Sequence, residues 1–191
     1  YSTSLPKGNY YVPDYVRAGR AAATHLMLSG YRKLYFCGYE SSAPSEALLS
    51  KGFFETLSDL GRGTAEKRDL STSDDGANYF QLREYGHNTQ IEDNPAQFIK
   101  KLGPKCGIFC GTKARAAKLL GILKTNKVRV PDDIGVIGVE MLHEYQEDDR
   151  SVDYFTFDRM NMFQTAVDEV TNFHFKELHE LSAPQMISNG T

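Results

Sequence analysis

The hydrophobic and polar positions of the chain form two alternating patterns. Short apolar runs bounded by turn residues occur at residues 34–38, 106–111 and 134–139, and such runs are typical of strands buried on both faces. Longer stretches with apolar residues at helical spacing lie between them. These stretches predict helices over residues 14–30, 44–60, 91–102, 112–126 and 160–181. The alternation predicts an α/β fold of mostly parallel sheets flanked by helices.

The sequence also predicts where some helices begin and end and which helix faces are buried. Asp14 is a good N-cap for the first helix, and Gly30 is a natural stop. Alternation predicts a strand over 152–158 and a short one near 185–188, whereas residues 64–90 are polar and irregular. The side chains that we expect the helices to bury are Val16, Gly19, Ala23 and Leu26; Phe53, Leu57 and Leu60; Ala116, Leu119, Leu120 and Leu123; and Phe163, Val167, Val170 and Phe173.

Composition limits the classes of function. The 191 residues carry a formal net charge of −3, whereas a DNA-binding domain usually presents a basic face, so this chain is not expected to bind nucleic acid by itself. Its three cysteines all lie in or beside apolar runs. They are expected to be buried free thiols, which favours a reducing, cytoplasmic compartment. No apolar stretch is long enough for a membrane helix, so no membrane partner is expected.

Sequence signals for catalysis, metals or cofactors are weak. The five histidines stand at unrelated positions, and the chain contains no nucleophile elbow, Walker loop or dinucleotide-binding glycine motif. Cys106 and Cys110 are four apart, which is the wrong spacing for a thiol redox pair. We therefore predict no catalytic residue, no metal site and no cofactor.

Four stretches in a fixed order carry a family resemblance. They are VPDYVRAGRAAATHLMLSGYRKLYFCGY, SKGFFETLSDLG, VPDDIGVIGVE and FQTAVDEV. Together they resemble the effector-binding domain of lactose/galactose-repressor (LacI/GalR) transcription regulators, which has the type I periplasmic-binding-protein-like fold. The phrases FCGY and VIGVE and the stretch LREYGHN are more similar to the sensor of xylose-operon regulators, which suggests that subgroup.

The resemblance implies a two-lobed domain with an inter-lobe ligand cleft, truncated at its N-terminus so that the first lobe is incomplete. Residues 1–39 would end the N-terminal lobe, 40–140 would form the C-terminal lobe, 141–181 would return to the N-terminal lobe, and 182–191 would be a tail. The chain opens with Tyr1 and lacks the family's DNA-binding domain. A homodimer is implied, with operator DNA bound only through that absent domain.

Ligands of open parallel sheets bind at the carboxyl ends of the strands, which directs attention to five residues. Glu140 stands where the family has an Asp that binds sugar hydroxyls, and a carboxylate accepts such bonds well. Thr112 and Lys113 stand where the family has an Asn-Asp pair. Tyr15 and Tyr39 are candidates for stacking on a sugar ring. The alternatives are a solvated Glu140, helix capping by Thr112, a solvated Lys113 and ordinary packing of both tyrosines.

One position departs from the family pattern. The effector-contacting Arg that precedes the Gly-Phe pair is Leu49 here, and leucine cannot donate a hydrogen bond. Lys51 or Arg32 would have to substitute for it. The departure indicates a modified or acidic sugar, another small metabolite, or a cleft without a ligand.

The resulting expectation is a domain that senses a sugar or a related small metabolite for a transcription regulator. A transport-type sugar-binding protein of the same fold is the alternative, and an α/β enzyme is a weaker one, because the fold does not separate these functions. The apolar cysteines and the lack of an export signal favour the regulator.

Overall fold

The computed structural model describes residues 10–38, 44–59, 78–80, 95–140, 152–171 and 179–190. Its strands are β1 (Tyr10–Pro13), β2 (Lys33–Cys37), β3 (Asn78–Phe80), β4 (Cys106–Cys110), β5 (Ile134–Val139), β6 (Asp153–Phe157), β7 (His179–Ser182) and β8 (Pro184–Ile187). Its helices are α1 (Tyr15–Leu28), α2 (Pro44–Asp59), α3 (Pro95–Leu102), α4 (Lys113–Thr125) and α5 (Arg159–Thr171). None of the described helices is long and apolar enough to span a bilayer.

The described strands form two sheets. Six lie in one sheet in the order β3-β2-β4-β5-β6-β8, where all neighbours are parallel except β8, which runs antiparallel to β6. Strands β1 and β7 form a separate parallel pair. Parallel strands joined by helices confirm the α/β class, and the predicted short strand in the tail is β8.

Each face of the larger sheet is covered by two helices. Phe36 and Phe109 point to the face covered by α1 and α2, where both are fully buried. Cys37 and Cys110 point to the opposite face, which α3 and α4 cover. Successive residues of a strand point to opposite faces, so the continuous apolar runs of β4 and β5 serve both sides.

Helices α1 and α2 cross at two glycines. A Cβ atom added at Gly19 would lie 2.1 Å from the Leu49 carbonyl oxygen, and one added at Gly52 would lie 2.0 Å from the Val16 carbonyl oxygen. Only glycine permits backbones to approach this closely. Gly52 belongs to the Gly-Phe pair that contributes to the family resemblance, so this part of the pattern reports helix packing.

The helix ends follow their sequence signals. The Asp14 carboxylate accepts a hydrogen bond from the Arg17 backbone N–H at 2.9 Å, which satisfies one amide of the first turn of α1. Beyond its other end, Gly30 has φ +86°, a conformation that glycine adopts without strain. Thr112 caps α4 in the same manner, with its hydroxyl oxygen 3.1 Å from the Arg115 backbone nitrogen.

The prediction for the last helix was wrong in length and in burial. Helix α5 is described over Arg159–Thr171, and residues 179–181, which the prediction placed in the helix, belong to strand β7. Phe163 is 66% exposed and Val170 is 71% exposed, whereas Met162 is the buried apolar residue of the helix. Helical spacing reveals an apolar stripe but does not reveal whether another element covers it. Phe173 lies outside the described residues.

The sheets also differ from the predicted division into lobes. Strands β2, β4, β5 and β6, which that division assigned to three separate parts of the chain, lie in one sheet. The separate pair is formed by β1 and β7. The apolar pattern identifies a strand as buried, but it carries no information about which strands are its neighbours.

Candidate functional site

Four parallel strands, β2, β4, β5 and β6, end at the same edge of the larger sheet. The predicted site residues Thr112 and Lys113 follow β4 there, and Glu140 follows β5. Gly138 shares a face of β5 with Glu140, about 7 Å away along the strand. A Cβ atom at Gly138 would lie 2.9 Å from Lys113 Cα and 3.2 Å from the Thr112 carbonyl oxygen. The fold therefore brings these three predicted residues together.

Glu140 is held by residues of the next strand and helix. Its backbone N–H donates to the Phe155 carbonyl at 2.8 Å, which extends the ladder between β5 and β6. The Thr156 hydroxyl donates to Glu140 Oε2 at 2.7 Å, and Arg159 Nη2 lies 2.7 Å from the same oxygen. The Glu140 side chain is only 14% exposed. It is consequently an oriented carboxylate rather than a freely solvated one.

Arg159 is a residue of this site that the sequence analysis did not identify. It begins α5, and its side chain is 32% exposed. Although Nη2 is close to Glu140 Oε2, it is buried without a hydrogen bond of acceptable geometry to the described residues. A guanidinium nitrogen in such a position retains the capacity to donate to another acceptor.

Thr112 and Lys113 have local roles in the described structure. The Thr112 hydroxyl oxygen accepts the capping bond of α4, which is the structural alternative considered for this residue, and its O–H remains a potential donor. Lys113 Nζ lies 4.3 Å from the centroid of the Tyr154 ring, within the range of a cation–π contact. Tyr154 pairs with Gly138 in the sheet, so this ammonium group lies on the face of the sheet that Gly138 and Glu140 share.

Tyr15 packs at the same edge but against the opposite face. Its ring makes an edge-to-face contact with Phe157, with centroids 5.4 Å apart. Burial raises the pKa of Tyr15, and the positive charge of Arg159 partly offsets that rise. The phenol is therefore neutral near pH 7 and can donate a hydrogen bond. Tyr39 lies outside the described residues.

The position at which the family has its effector-binding Arg is part of the core. Leu49 is completely buried. Neither suggested substitute is at the site, because Lys51 forms an exposed ion pair with Glu55 at 3.9 Å and Arg32 precedes β2 at the other end of the strand.

A buried ion pair lies one helical turn before Leu49. Arg115 Nη1 is 3.1 Å from Glu46 Oε1 and 3.4 Å from the Cys37 carbonyl oxygen, and both side chains are nearly inaccessible. Burial alone would lower the pKa of Arg115, but the charge and hydrogen bond of Glu46 together with Cys37 and Cys110 outweigh this effect and raise it. The pair fastens the first turns of α2 and α4 beside the candidate site.

The three cysteines are free and buried, as predicted. Burial raises the pKa of Cys106 to about 12 and that of Cys110 well above its ordinary value. Thiols with such pKa values are poor nucleophiles near pH 7. Among the described residues no His, Cys, Asp or Glu cluster has the arrangement needed to hold a metal ion.

A cavity of about 360 Å³ lies at the opposite edge of the sheet, between α1 and the loops that precede β4 and β5. Its buried carboxylate belongs to Asp153, which accepts hydrogen bonds from the backbone amides of Asn189 and Gly190. Tyr31 donates to the Pro131 carbonyl oxygen at 2.7 Å. These groups already bind protein atoms, so the carboxyl edge is the better candidate for a ligand site.

Comparison with known proteins places this geometry in a family. The model of the periplasmic binding protein-like domain matches residues 23–151, more than half of the chain. The chain belongs to this family. The matched region begins within α1 and includes β2, β4, β5 and Glu140, and therefore most of the larger sheet and its carboxyl edge.

Two curated repressors are relatives of this chain. The sucrose operon repressors of Shigella flexneri and Escherichia coli are each 27% identical to it over 135 residues. The match covers 69% of this chain but only 38% of each repressor, so the chain spans well under half of their length.

Two solved structures illustrate the shared fold. A xylose-binding transcription activator superposes with a TM-score of 0.75 at 20% identity, over 100% of this chain and 49% of its own. A LacI-family regulator from Enterococcus faecium, solved with bound ribose, has a TM-score of 0.71 at 13% identity, over 98% and 67% of the two chains. At these identities the superpositions establish the type I periplasmic-binding-like fold, which confirms the predicted fold class.

Proposed function

We propose that this family member is the effector-sensing domain of a transcription regulator and that it binds a sugar or a related small metabolite at the carboxyl edge of the larger sheet. The observation that carries this proposal is the position of Glu140. It is an oriented carboxylate at a strand end, beside Thr112 and Lys113, within the part of the chain that matches the family model. Carboxylates are well suited to accept hydrogen bonds from sugar hydroxyl groups.

The relatives and solved structures similar to this chain favour a regulator over a transport protein. The two curated relatives are repressors, and both solved structures described above are transcription regulators. The names of these proteins also favour sensing over catalysis. A cytoplasmic location and a homodimer belong to the same proposal, and binding to operator DNA would require a domain outside this chain. The gene sequence upstream of this chain tests the choice. A helix-turn-helix encoded there would support the regulator, whereas an export signal would support a transport protein.

The two sheets suggest how a cleft would be arranged. Strands β1 and β7, together with α5, would belong to the first lobe, and the six-stranded sheet would form the second. Asn161 of α5 donates to the Tyr11 hydroxyl of β1 at 2.8 Å, which ties these elements together. Glu140 and Arg159 would then face each other across the boundary, one from each lobe. Membership of the xylose-regulator subgroup is a narrower proposal, consistent with the fold shared with the xylose-binding activator.

The function is tested by calorimetric titration of the full chain with sucrose, xylose and ribose and with their acidic derivatives. For a sugar that binds, Glu140→Ala should weaken affinity by about 1.5–3 kcal/mol, the range for hydrogen bonds to a charged group. This corresponds to roughly tenfold or more in the dissociation constant. The variant should remain folded and lose about 1–3 kcal/mol of stability, because its removal leaves the Thr156 and Arg159 donors without this acceptor.

Glu55→Ala provides the matched control for this titration. It also removes a carboxylate, but one that lies on the exposed surface of α2 beside Lys51 and Arg20. Its affinity for the sugar should equal that of the unmodified chain. Equal affinities for Glu140→Ala and Glu55→Ala would remove Glu140 from the site, and the absence of heat with every sugar would contradict sugar sensing.

A further inference from the structure

The described residues of the candidate site carry more positive charge than binding of a neutral sugar requires. Arg159 and Lys113 both reach the side of the sheet edge on which Glu140 lies. Lys113 rests on an aromatic ring and forms no carboxylate ion pair with the described residues. Asp158 is adjacent in sequence, but its Oδ1 accepts the backbone N–H of Asn161 at 2.9 Å and so caps α5. Among the described residues, Glu140 is therefore the carboxylate in contact with Arg159, and Lys113 adds a second positive charge on the same side.

The contact between Arg159 and Glu140 is close but incomplete. Nη2 lies 2.7 Å from Oε2, a distance typical of a strong charge-assisted bond, yet no acceptor among the described residues is aligned with its N–H groups. Oε2 already receives the Thr156 hydroxyl. Buried guanidinium nitrogens normally have an aligned acceptor, because an unmet donor is costly. With respect to the described residues, Arg159 Nη2 therefore keeps the capacity to donate to a further acceptor.

Binding of a neutral sugar to Glu140 would not supply that acceptor. A sugar hydroxyl that donates to the carboxylate competes with Arg159 for it, and the guanidinium would lose part of its contact with Glu140. A carboxylate or phosphate placed against Arg159 has the opposite effect. It accepts two aligned N–H bonds from the planar guanidinium, and it frees Glu140 to accept hydroxyl groups of the same ligand.

We propose that Arg159 is the specificity-determining residue of this site and selects a sugar that carries an anionic group, either a carboxylate or a phosphate. This inference rests on the proposed function, since it specifies the class of effector that the same site accepts. Arg159 binds the anionic group and Glu140 binds the hydroxyl groups. Lys113 adds a second positive charge on the same side. Leu49, at the position of the family's usual Arg, is buried and cannot supply such a donor.

The experiment is calorimetric titration of the full chain with matched probes: glucose, glucuronate and glucose 6-phosphate, then ribose and ribose 5-phosphate, with inorganic phosphate alone as a further probe. At least one anionic sugar should bind ten times more tightly than its neutral parent. The uronate and phosphate arms show which anion the site takes. Inorganic phosphate should bind more weakly than the preferred sugar, because it offers Glu140 no sugar hydroxyls.

Variants connect the preference to the residue. Arg159→Gln should reduce affinity for the anionic sugar at least tenfold and leave the neutral parent unchanged or improved, since Glu140 is then released. Arg159→Lys, which keeps the charge, should retain part of the preference and guards against a folding defect in the first variant. Arg129→Gln removes an exposed guanidinium paired with Asp133 and should not alter binding.

The outcomes separate this inference from the proposed function. Tighter binding of the neutral parents, or an equal loss for neutral and anionic sugars in Arg159→Gln, overturns the role of Arg159 and leaves sugar sensing intact. Failure of every sugar to bind, with folding verified by circular dichroism, overturns sugar sensing and this inference with it.

Discussion

Helices α1 and α5 are of similar length, yet they meet the rest of the molecule in opposite ways. α1 buries Ala18, Ala22, Ala23 and Leu26 almost completely between the sheet and α2. α5 buries Met162 and leaves Met160 76% exposed and Phe163 66% exposed. Both helices carry an apolar stripe in the sequence, so the difference lies in what stands opposite each stripe.

The two helices show that an apolar stripe in the sequence does not by itself determine how a helix packs. α1 packs closely against α2, because Gly19 and Gly52 let the two helix backbones touch. The stripe of α5 is largely exposed, and the helix is tied to β1 through Asn161 and Tyr11 and to Glu140 through Arg159. Large apolar side chains exposed together on one helix are uncommon in monomeric proteins.

The largest difference should appear when one phenylalanine is truncated in each region. Phe53→Ala in α2 removes a fully buried ring that packs against Phe36 and Phe109, and it should lower the free energy of unfolding by about 3–5 kcal/mol. Phe163→Ala in α5 should change it by less than about 0.5 kcal/mol, because the ring is mostly exposed. Urea unfolding followed by circular dichroism measures both values. A comparable loss in the two variants would contradict the contrast between the regions.

A smaller but more specific effect should follow from adding one methyl group where α1 and α2 cross. Gly52→Ala places a Cβ atom 2.0 Å from the Val16 carbonyl oxygen, so the helices must separate, and the expected loss of stability is about 3 kcal/mol. Gly121→Ala is the matched control, because Gly121 lies in α4 with no atom within 4 Å of an added Cβ. The control should gain about 0.5–1 kcal/mol from helix propensity. Thermal unfolding of the pair gives the sign of each change.

These two regions also show what the sequence allowed to be predicted. The strand at residues 134–139 and the Asp14 cap were predicted correctly, and capping by Thr112 was the alternative considered for that residue, because a continuous apolar run and a capping side chain act within a few residues. The exposed face of α5 was not predicted, since burial depends on elements distant in the chain. Whether a stripe is covered is a property of the fold rather than of the stripe.

The candidate site also contains residues that the local sequence indicates and residues that only distant contacts bring to it. Glu140, Thr112 and Lys113 were recognised by their position after predicted strands, and the fold brings them together. Arg159 was missed because its contact with Glu140 depends on the register of β5 and β6 and on where α5 begins. The Glu46–Arg115 pair joins residues 69 positions apart, and no local pattern reports such a contact.

The smallest expected effect concerns the ion pair on the surface of the α1–α2 contact. Arg20 Nη2 lies 3.0 Å from Glu55 Oε2, and these side chains are 59% and 40% exposed. Exposed pairs contribute about 0.2–1 kcal/mol and weaken as salt screens them. A double-mutant cycle with Arg20→Gln and Glu55→Gln should therefore give a coupling energy below about 1 kcal/mol, and the coupling should shrink between low and 1 M salt. Glu55 also contacts Lys51 at 3.9 Å, so repeating the cycle in a Lys51→Gln background isolates the Arg20 term. A coupling of several kcal/mol that persists at high salt would mean that charge, rather than the glycine contact and the buried apolar faces, holds α1 against α2.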